Sequence, residues 1–358
     1  MKKKILLIHK TQFGYHNNAF MHCYYLRNKY AISFLCFDSG KTKIIMDGIK
    51  NIYVSSKGPF FIRGIRFISY SLLLSLFFRG LIFVFYFQGA IWLKKLLPWK
   101  KMILDIRTGG IFNISAENFK FNTELKKTAL LYDHITVLSD GLRDKLKLPL
   151  NKTTILPLGA NSVSDKKKLF NKLNLFYVGT LSNRDIEKTI LGLDKFVKQN
   201  NDVEITYDIV GDGYNNEKEK LKELSGKLNL CNIVKFHGRI PNTELKPFFD
   251  KCNVGVSFVP MIDHYEYQPV TKTFEYAMSG LFTIATSTFE NKKVINDKNG
   301  ILINDSAEDF CRALEYILNN RERIDTLDIS DTLVNYKWST IVNNTLYPLL
   351  TKLEKKWF

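Results

Sequence analysis

Cysteine is scarce and unpatterned. The five residues Cys23, Cys36, Cys231, Cys252 and Cys311 are scattered along the chain with no CxxC spacing. An odd, dispersed set argues against a disulfide framework or a thiolate zinc site and fits small buried hydrophobes in a reducing compartment. A dinucleotide fingerprint is also missing: HKTQFGYHNN (9–18) carries only Gly14 where a hydride-transfer enzyme would carry GxGxxG. No DxD motif lies in a suitable strand-end loop. No helix-turn-helix or RRM signature and no basic stripe interleaved with aromatics is present, so no nucleic-acid partner is expected. Negative charge is in deficit, with 35 Asp and Glu against 52 Lys and Arg, for a formal charge of +17 and a pI near 9.4. Such a balance suits an anionic partner, whether nucleic acid, a phosphorylated substrate or an anionic membrane, and the sign alone does not choose.

What is present is a folded α/β pattern. A chain of 358 residues with 45% hydrophobic and 24% charged residues is too long for one ordinary core and implies two domains. MKKKILLIHK begins like a signal peptide, but its apolar run is far too short and no small-residue cleavage site follows; it reads as a first buried strand of a cytoplasmic protein. Apolar runs at 5–9, 32–37, 82–87, 102–106 and 135–139 alternate with amphipathic segments, as do runs at 174–179, 204–211, 233–238, 253–259 and 281–285. Alternation of this kind predicts βαβ units and parallel sheets. The polar, lysine-rich stretch ILPLGANSVSDKKK (155–168) marks the boundary between two doubly wound domains.

One segment departs from the scheme. FISYSLLLSLFF (67–78) is a solid apolar run, broken by Arg79-Gly80 before it reaches the roughly 20 residues that span a bilayer. Its expected state is buried core for most of its length, with the basic rim (Arg63, Arg66, Lys94, Lys95, Lys100, Lys101) touching an anionic membrane.

In open parallel sheets ligands bind beyond the carboxyl ends of the strands, so the second-half loops are where chemistry is sought. YVGTLSNRDIEKTI (177–190) ends a strand at Gly179 and brings Arg184 and Lys188 to a helix start; two cations beside free helix N–H groups suit a diphosphate, or Asp185 and Glu187 simply neutralise them. IVGDGYNNEKEK (209–220) offers Gly211 and Gly213 for close backbone approach or for a tight turn. FHGRIPNTEL (236–245) supplies Arg239 and Ile240, while His237 by itself reads as structural. In QPVTKTFEYAMSG (268–280), Val270, Phe274, Ala277 and Met278 form an apolar helix face, and Thr271, Lys272 and Glu275 lie off it.

Taken in order, these loops together with DKNGILI (297–303) and the closing YKWSTIVNNTLYPLLTKL (336–353) resemble the family 4 glycosyltransferases over roughly 170–358. The resemblance implies the GT-B fold: two Rossmann-like doubly wound domains facing a central cleft, at 1–163 (acceptor side) and 164–338 (nucleotide sugar), with 339–358 as a helix returning to the first domain. It implies transfer of a sugar, with retention, from a nucleoside-diphosphate sugar (UDP-sugar favoured) to a glycan hydroxyl, without a metal or other cofactor. Glu275 would bind the ribose hydroxyls. Lys272, with Thr271 at the helix start, Arg184 and Lys188 would meet the diphosphate; Gly179 and Gly211 would admit it, and Arg239 and Ile240 would line the base. The family often carries a second glutamate eight positions before the first; here that position is Tyr267, and Glu266 stands one residue out of register. Asp105 in LDIRTGG, with Arg107, is a candidate for acceptor binding or proton handling, or is simply the partner of Arg107. The implied acceptor is carried on a polyprenyl diphosphate at the inner face of the cell membrane, in surface polysaccharide synthesis. The alternative is a catalytically silent GT-B scaffold that binds a nucleotide sugar or a partner protein.

Overall fold

The computed structural model describes residues 2–112 and 114–358, apart from the side chain of His264. The chain forms two compact units. The first runs to Gly159 and takes back Trp338–Phe358; the second is Ala160–Lys337.

The first unit is a seven-stranded sheet of order β3-β2-β1-β4-β5-β6-β7. Its strands are β1 (Lys3–Ile8), β2 (Tyr30–Asp38), β3 (Ile49–Ser55), β4 (Leu81–Phe85), β5 (Met102–Ile106), β6 (His134–Val137) and β7 (Thr153–Ile155). Its helices are α1 (Asn17–Leu26), α2 (Phe60–Phe77), α3 (Ile91–Leu96), α4 (Ser115–Leu131) and α5 (Asp140–Lys145). Every ladder is parallel. A parallel sheet flanked by helices buries both faces of its central strands, which is why LIFVF and MILDI are continuous apolar runs with every residue buried.

The second unit is a six-stranded parallel sheet of order β10-β9-β8-β11-β12-β13. Its strands are β8 (Leu173–Val178), β9 (Ile205–Val210), β10 (Val234–Gly238), β11 (Val254–Ser257), β12 (Phe282–Thr286) and β13 (Gly300–Ile303). The helices are α6 (Ile186–Gln199), α7 (Glu217–Lys227), α8 (Lys246–Lys251), α9 (Asp263–Glu266), α10 (Thr271–Met278), α11 (Ala307–Asn320) and α12 (Thr326–Asp331), after which α13 (Trp338–Ile341) and α14 (Tyr347–Trp357) rejoin the first unit.

The unit boundary falls slightly earlier than the composition suggests. The lysine-rich stretch is stitched into the second unit: the Val163 amide donates to Ser279 Oγ at 2.9 Å, the Lys168 amide to Thr326 Oγ1 at 2.8 Å, and Asn253 Nδ2 to the Leu169 and Lys172 carbonyls at 2.6 and 2.7 Å. A further strand, β3, appears at the edge of the first sheet, where a half-exposed position needs no apolar run.

The expectation of a mostly buried 67–78 is not met. Helix α2 starts earlier, at Phe60, and buries only Phe67, Ser71 and Ser75. As the crossover between two strands of one sheet it is covered on one side only.

The return of the chain to the first unit rests on apolar packing. Trp338 is 1% exposed, its indole seated where a Cβ on Gly159 would lie 2.4 Å from it, and its ring stands edge-on to His22 at 5.8 Å. Ile341, Val342, Leu346, Leu350 and Leu353 then join the core of β1, β2 and α1. Pro348 lacks an amide to donate to the preceding turn, and the backbone widens there into a π-helical turn at Val342–Leu346. Trp338→Ala is expected to destabilise the first unit by about 3–5 kcal/mol, the usual cost of deleting a buried indole. Hydrogen exchange should then accelerate in β1, β2 and α14 but not in β9; unchanged protection in β1 would refute the anchoring role.

Candidate functional site

Beyond the carboxyl ends of β8, β9 and β10 the second unit holds a cavity of about 500 Å³. Glycines make it possible. The Gly179 amide donates to the Val210 carbonyl at 3.0 Å and the Gly211 amide to the Gly238 carbonyl at 2.8 Å, so the three strand ends are laced together by backbone alone. Gly211 has φ +148°, and a Cβ there would lie 1.8 Å from the Gly179 oxygen, so no side chain fits. Of the residues singled out in the sequence, Gly179, Gly211, Gly213, Arg239, Ile240 and Lys272 line this space. Thr180, Asp212, Tyr214 and Asn242 line it too and were not singled out. They stand in the same quoted loops, but a polar residue in a loop carries no signal of which way it faces.

Helix α10 delivers Lys272. Its anchor is Tyr276, fully buried over Gly255, with its hydroxyl accepting from the Val178 amide at 2.9 Å; the helix is thereby tied to the end of β8. Thr273, Phe274, Ala277 and Met278 are buried beside it, whereas Val270 is only half-buried. Under the first turn lies a buried polar cluster: Thr273 Oγ1 meets Ser257 Oγ at 2.6 Å and donates to Asn291 Oδ1 at 3.2 Å, and Asn291 Nδ2 donates to the Thr286 carbonyl at 2.8 Å. Satisfied buried polar groups fix orientation as well as stability. On the opposite side of the turn Lys272 Nζ lies 2.5 Å from Glu275 Oε2, with side-chain exposures of 20% and 15%. A cation, the start of a helix and glycine-rich strand ends together form a receptor for an anion such as a diphosphate.

The remaining second-unit candidates, Arg184, Lys188, Glu266, Thr271 and Glu275, are not among the residues that line this space. Arg184 stacks its guanidinium over the Tyr265 ring at 4.5 Å, and the Tyr265 hydroxyl donates to the Asn183 carbonyl at 3.2 Å. Lys188 is held by Asp185 at 2.9 Å and Asp305 at 3.8 Å; its bond to Asp185 raises its pKa. Glu266 ends α9, and its Oε2 accepts from the Phe289 amide at 2.7 Å, while Tyr267 packs on the Phe289 ring at 5.3 Å. Thr271 opens α10 in a half-buried position. His237 has a structural partner, its Nε2 lying 2.7 Å from the fully buried Asp208, which also holds Lys251 at 2.6 Å.

In the first unit Asp105 is the penultimate residue of β5, with no exposure. Its carboxylate accepts from Arg107 Nε at 2.7 Å and from Thr136 Oγ1 at 2.6 Å, and Arg107 Nη1 donates to the Leu156 carbonyl at 2.9 Å. Asp105 therefore orients Arg107 within the sheet. Three histidines gather nearby: His9 and His16 have ring centroids 4.3 Å apart, and His22 Nε2 lies 3.4 Å from Arg107 Nη2. Burial lowers the pKa of all three, with the Arg107 charge next in weight for His16 and His22; His9 is brought to about 3.

Residues 172–320 match the protein family described as Glycosyl transferases group 1. A search of curated protein sequences finds no match. Among solved structures, the sucrose-phosphate synthase of Thermosynechococcus elongatus superposes with a TM-score of 0.77 at 18% identity, covering 98% of this chain and 100% of that one. HepE of Anabaena, in complex with UDP and glucose, gives 0.72 at 13% identity over 98% and 100%. The lipopolysaccharide outer core galactosyltransferase WaaB in its apo form gives 0.70 at 14% identity over 98% and 99%. The chain thus has the GT-B fold, and its second unit, which carries the cavity, is the part that matches the group 1 glycosyl transferases.

Proposed function

We propose that this protein is a glycosyltransferase that moves a sugar from a UDP-sugar to a hydroxyl of a glycan acceptor, with retention of configuration and without a metal ion. The observation that carries this reading is the 500 Å³ cavity that Gly179, Gly211, Arg239 and Lys272 share at the start of α10. The match of 172–320 to a glycosyl transferase family and the UDP-bound state of HepE support it. In this reading the diphosphate lies against the α10 N-terminus and Lys272, which stabilise the charge that develops on the leaving group. Glu275 accepts from the ribose hydroxyls, and Arg239 and Ile240 border the base. Arg184 and Lys188 flank the phosphates, and Glu266 holds the loop at Phe289 in place beside the sugar. In the first unit Arg107, oriented by Asp105, serves the acceptor. The acceptor is a polyprenyl-diphosphate-linked glycan destined for a cell-surface polysaccharide, so the enzyme works at the cytoplasmic face of the membrane.

A thermal-shift series with UDP, GDP, ADP and dTDP tests the donor. UDP at millimolar concentration is expected to raise the melting temperature by several degrees and the others by less, because a ligand of the native state stabilises by mass action. No shift with any of the four would sink the reading, and a UDP shift without transfer to any acceptor would favour the silent scaffold.

A further inference from the structure

Helix α2 is inside out for a soluble protein. The side packed on the sheet presents Phe67, Ser71 and Ser75, with Ser71 Oγ bonded to its own Phe67 carbonyl at 2.7 Å and Ser75 Oγ buried without a partner. The opposite side presents Ile62, Ile65, Leu73 and Leu76, exposed by 51%, 66%, 57% and 40%. At 100° per residue these four cluster about half a turn away from the buried three. An ordinary surface helix has its small polar residues outward and its aliphatics inward. Helix α3, packed beside α2, continues the surface with Trp92 and Leu96, followed by Trp99, all about half exposed or more.

Charge identifies the occupant. Between Asp47 and Asp105 the sequence holds no acidic residue at all. Lys57, Arg79 and Lys95 are exposed in that interval and Arg63 and Arg66 are half-exposed, while Lys94 is buried on Asp133. Exposed aliphatics rule against nucleic acid, and a segment whose only charges are basic rules against a basic protein surface. We infer that α2 and α3 form a docking face that lies in the plane of an anionic lipid bilayer, with the aliphatic side in the acyl boundary and the tryptophans and cations at the headgroups.

The helix has the length and composition to cross a bilayer, yet its place in the fold forbids that. It connects β3 to β4, which belong to one sheet, and Phe67 is locked between the rings of Phe37 and Phe87 at 4.6 and 5.2 Å. Spanning would tear strands from the sheet. Lying flat costs the fold nothing, and 18 residues present a face about 27 Å long. This surface gives the membrane part of the proposed function a physical basis and stands without the transfer chemistry.

The test uses the full chain with vesicles of phosphatidylglycerol and phosphatidylcholine, and with phosphatidylcholine alone. Co-sedimentation is expected on the anionic vesicles, with a residue that survives 0.5 M salt. Brominated acyl chains should quench Trp92 and Trp99 while the buried Trp338 stays bright. Ile65→Glu with Leu73→Glu, both at exposed positions, should cut vesicle binding at least tenfold and leave the circular dichroism spectrum and the UDP-induced thermal shift unchanged. Three results would overturn the inference: no binding to anionic vesicles, binding that salt abolishes and the double variant does not alter, or a lipid-free dimer that the double variant dissociates. Because the UDP shift is read on the same variant, failure here is separable from failure of the donor reading.

Discussion

Lys272→Ala is expected to lower UDP release from the UDP-sugar donor by 10²- to 10³-fold, the range found when one preorganised donor to a developing oxyanion is removed. The reason lies in where the ammonium stands. It projects from the first turn of α10 into the cavity, where the helix N-terminus already favours negative charge, and its carbon stem is half-buried. Its only described partner is Glu275, at 2.5 Å. Taking the cation away strips the leaving diphosphate of a counter-charge and leaves the Glu275 carboxylate facing it uncompensated. Donor affinity should therefore fall together with turnover. Glu275→Ala alone is expected to act mainly on donor binding, and Lys272→Ala with Glu275→Ala should lose less than the two single effects combined, because the pair is coupled. Steady-state hydrolysis of whichever UDP-sugar the parent turns over, with melting curves to confirm folding, measures all three. Activity of Lys272→Ala within twofold of the parent would remove this residue from the chemistry.

Acidification from pH 7 to pH 5 should unfold the first unit selectively. Burial lowers the pKa of His9 to about 3 and that of His134 to about 4, the latter with help from Lys352, Lys356 and Lys152, and it also lowers His16 and His22. All four belong to the first unit. An unfolded histidine titrates near 6.5, so between that pH and the folded value the unfolded chain binds the additional protons. Stability is then complete above pH 6.5 and is lost as pH falls towards 4 and 3. His9 costs about 2 kcal/mol by pH 5, and His134, which is partly open to solvent, adds a smaller amount in the same direction, a noticeable part of the stability of a domain. Carboxylates such as Asp250, held down to about 2 by Ser164 and Lys246, titrate below this window. Hydrogen exchange at the two pH values, corrected for intrinsic rates, should show lost protection in β1 and β5 and retained protection in β8 and β9. Equal loss in both sheets would refute the assignment to these histidines.

How far each feature is legible depends on whether its signal is local. The central strands announce themselves because a parallel strand buried on both faces must be apolar throughout, as in LIFVF and MILDI. The edge strand β3 is mostly half-buried, with Lys50 and Ser55 exposed and only Val54 buried, and carries no such run. Lys272 and Glu275 stand out because they are charged residues lying off the apolar stripe of α10. Tyr276 does not, since a tyrosine reads as amphipathic until its hydroxyl is seen to accept from the Val178 amide. Helix α2 misleads for the same reason in reverse. Its hydrophobicity is local, but whether anything covers it is not.

By itself the sequence determined the two parallel-sheet units, the glycine-rich strand ends and the position of the loops that border the cavity, because burial on both faces and close backbone approach each demand particular residue types at fixed places along the chain. Only the tertiary structure decided which of the quoted loop residues share the cavity, that Asp105 is consumed by Arg107 and Thr136, and that α2 turns its aliphatic side outward. Those outcomes depend on what packs against each side chain from distant parts of the chain, and no local pattern encodes that.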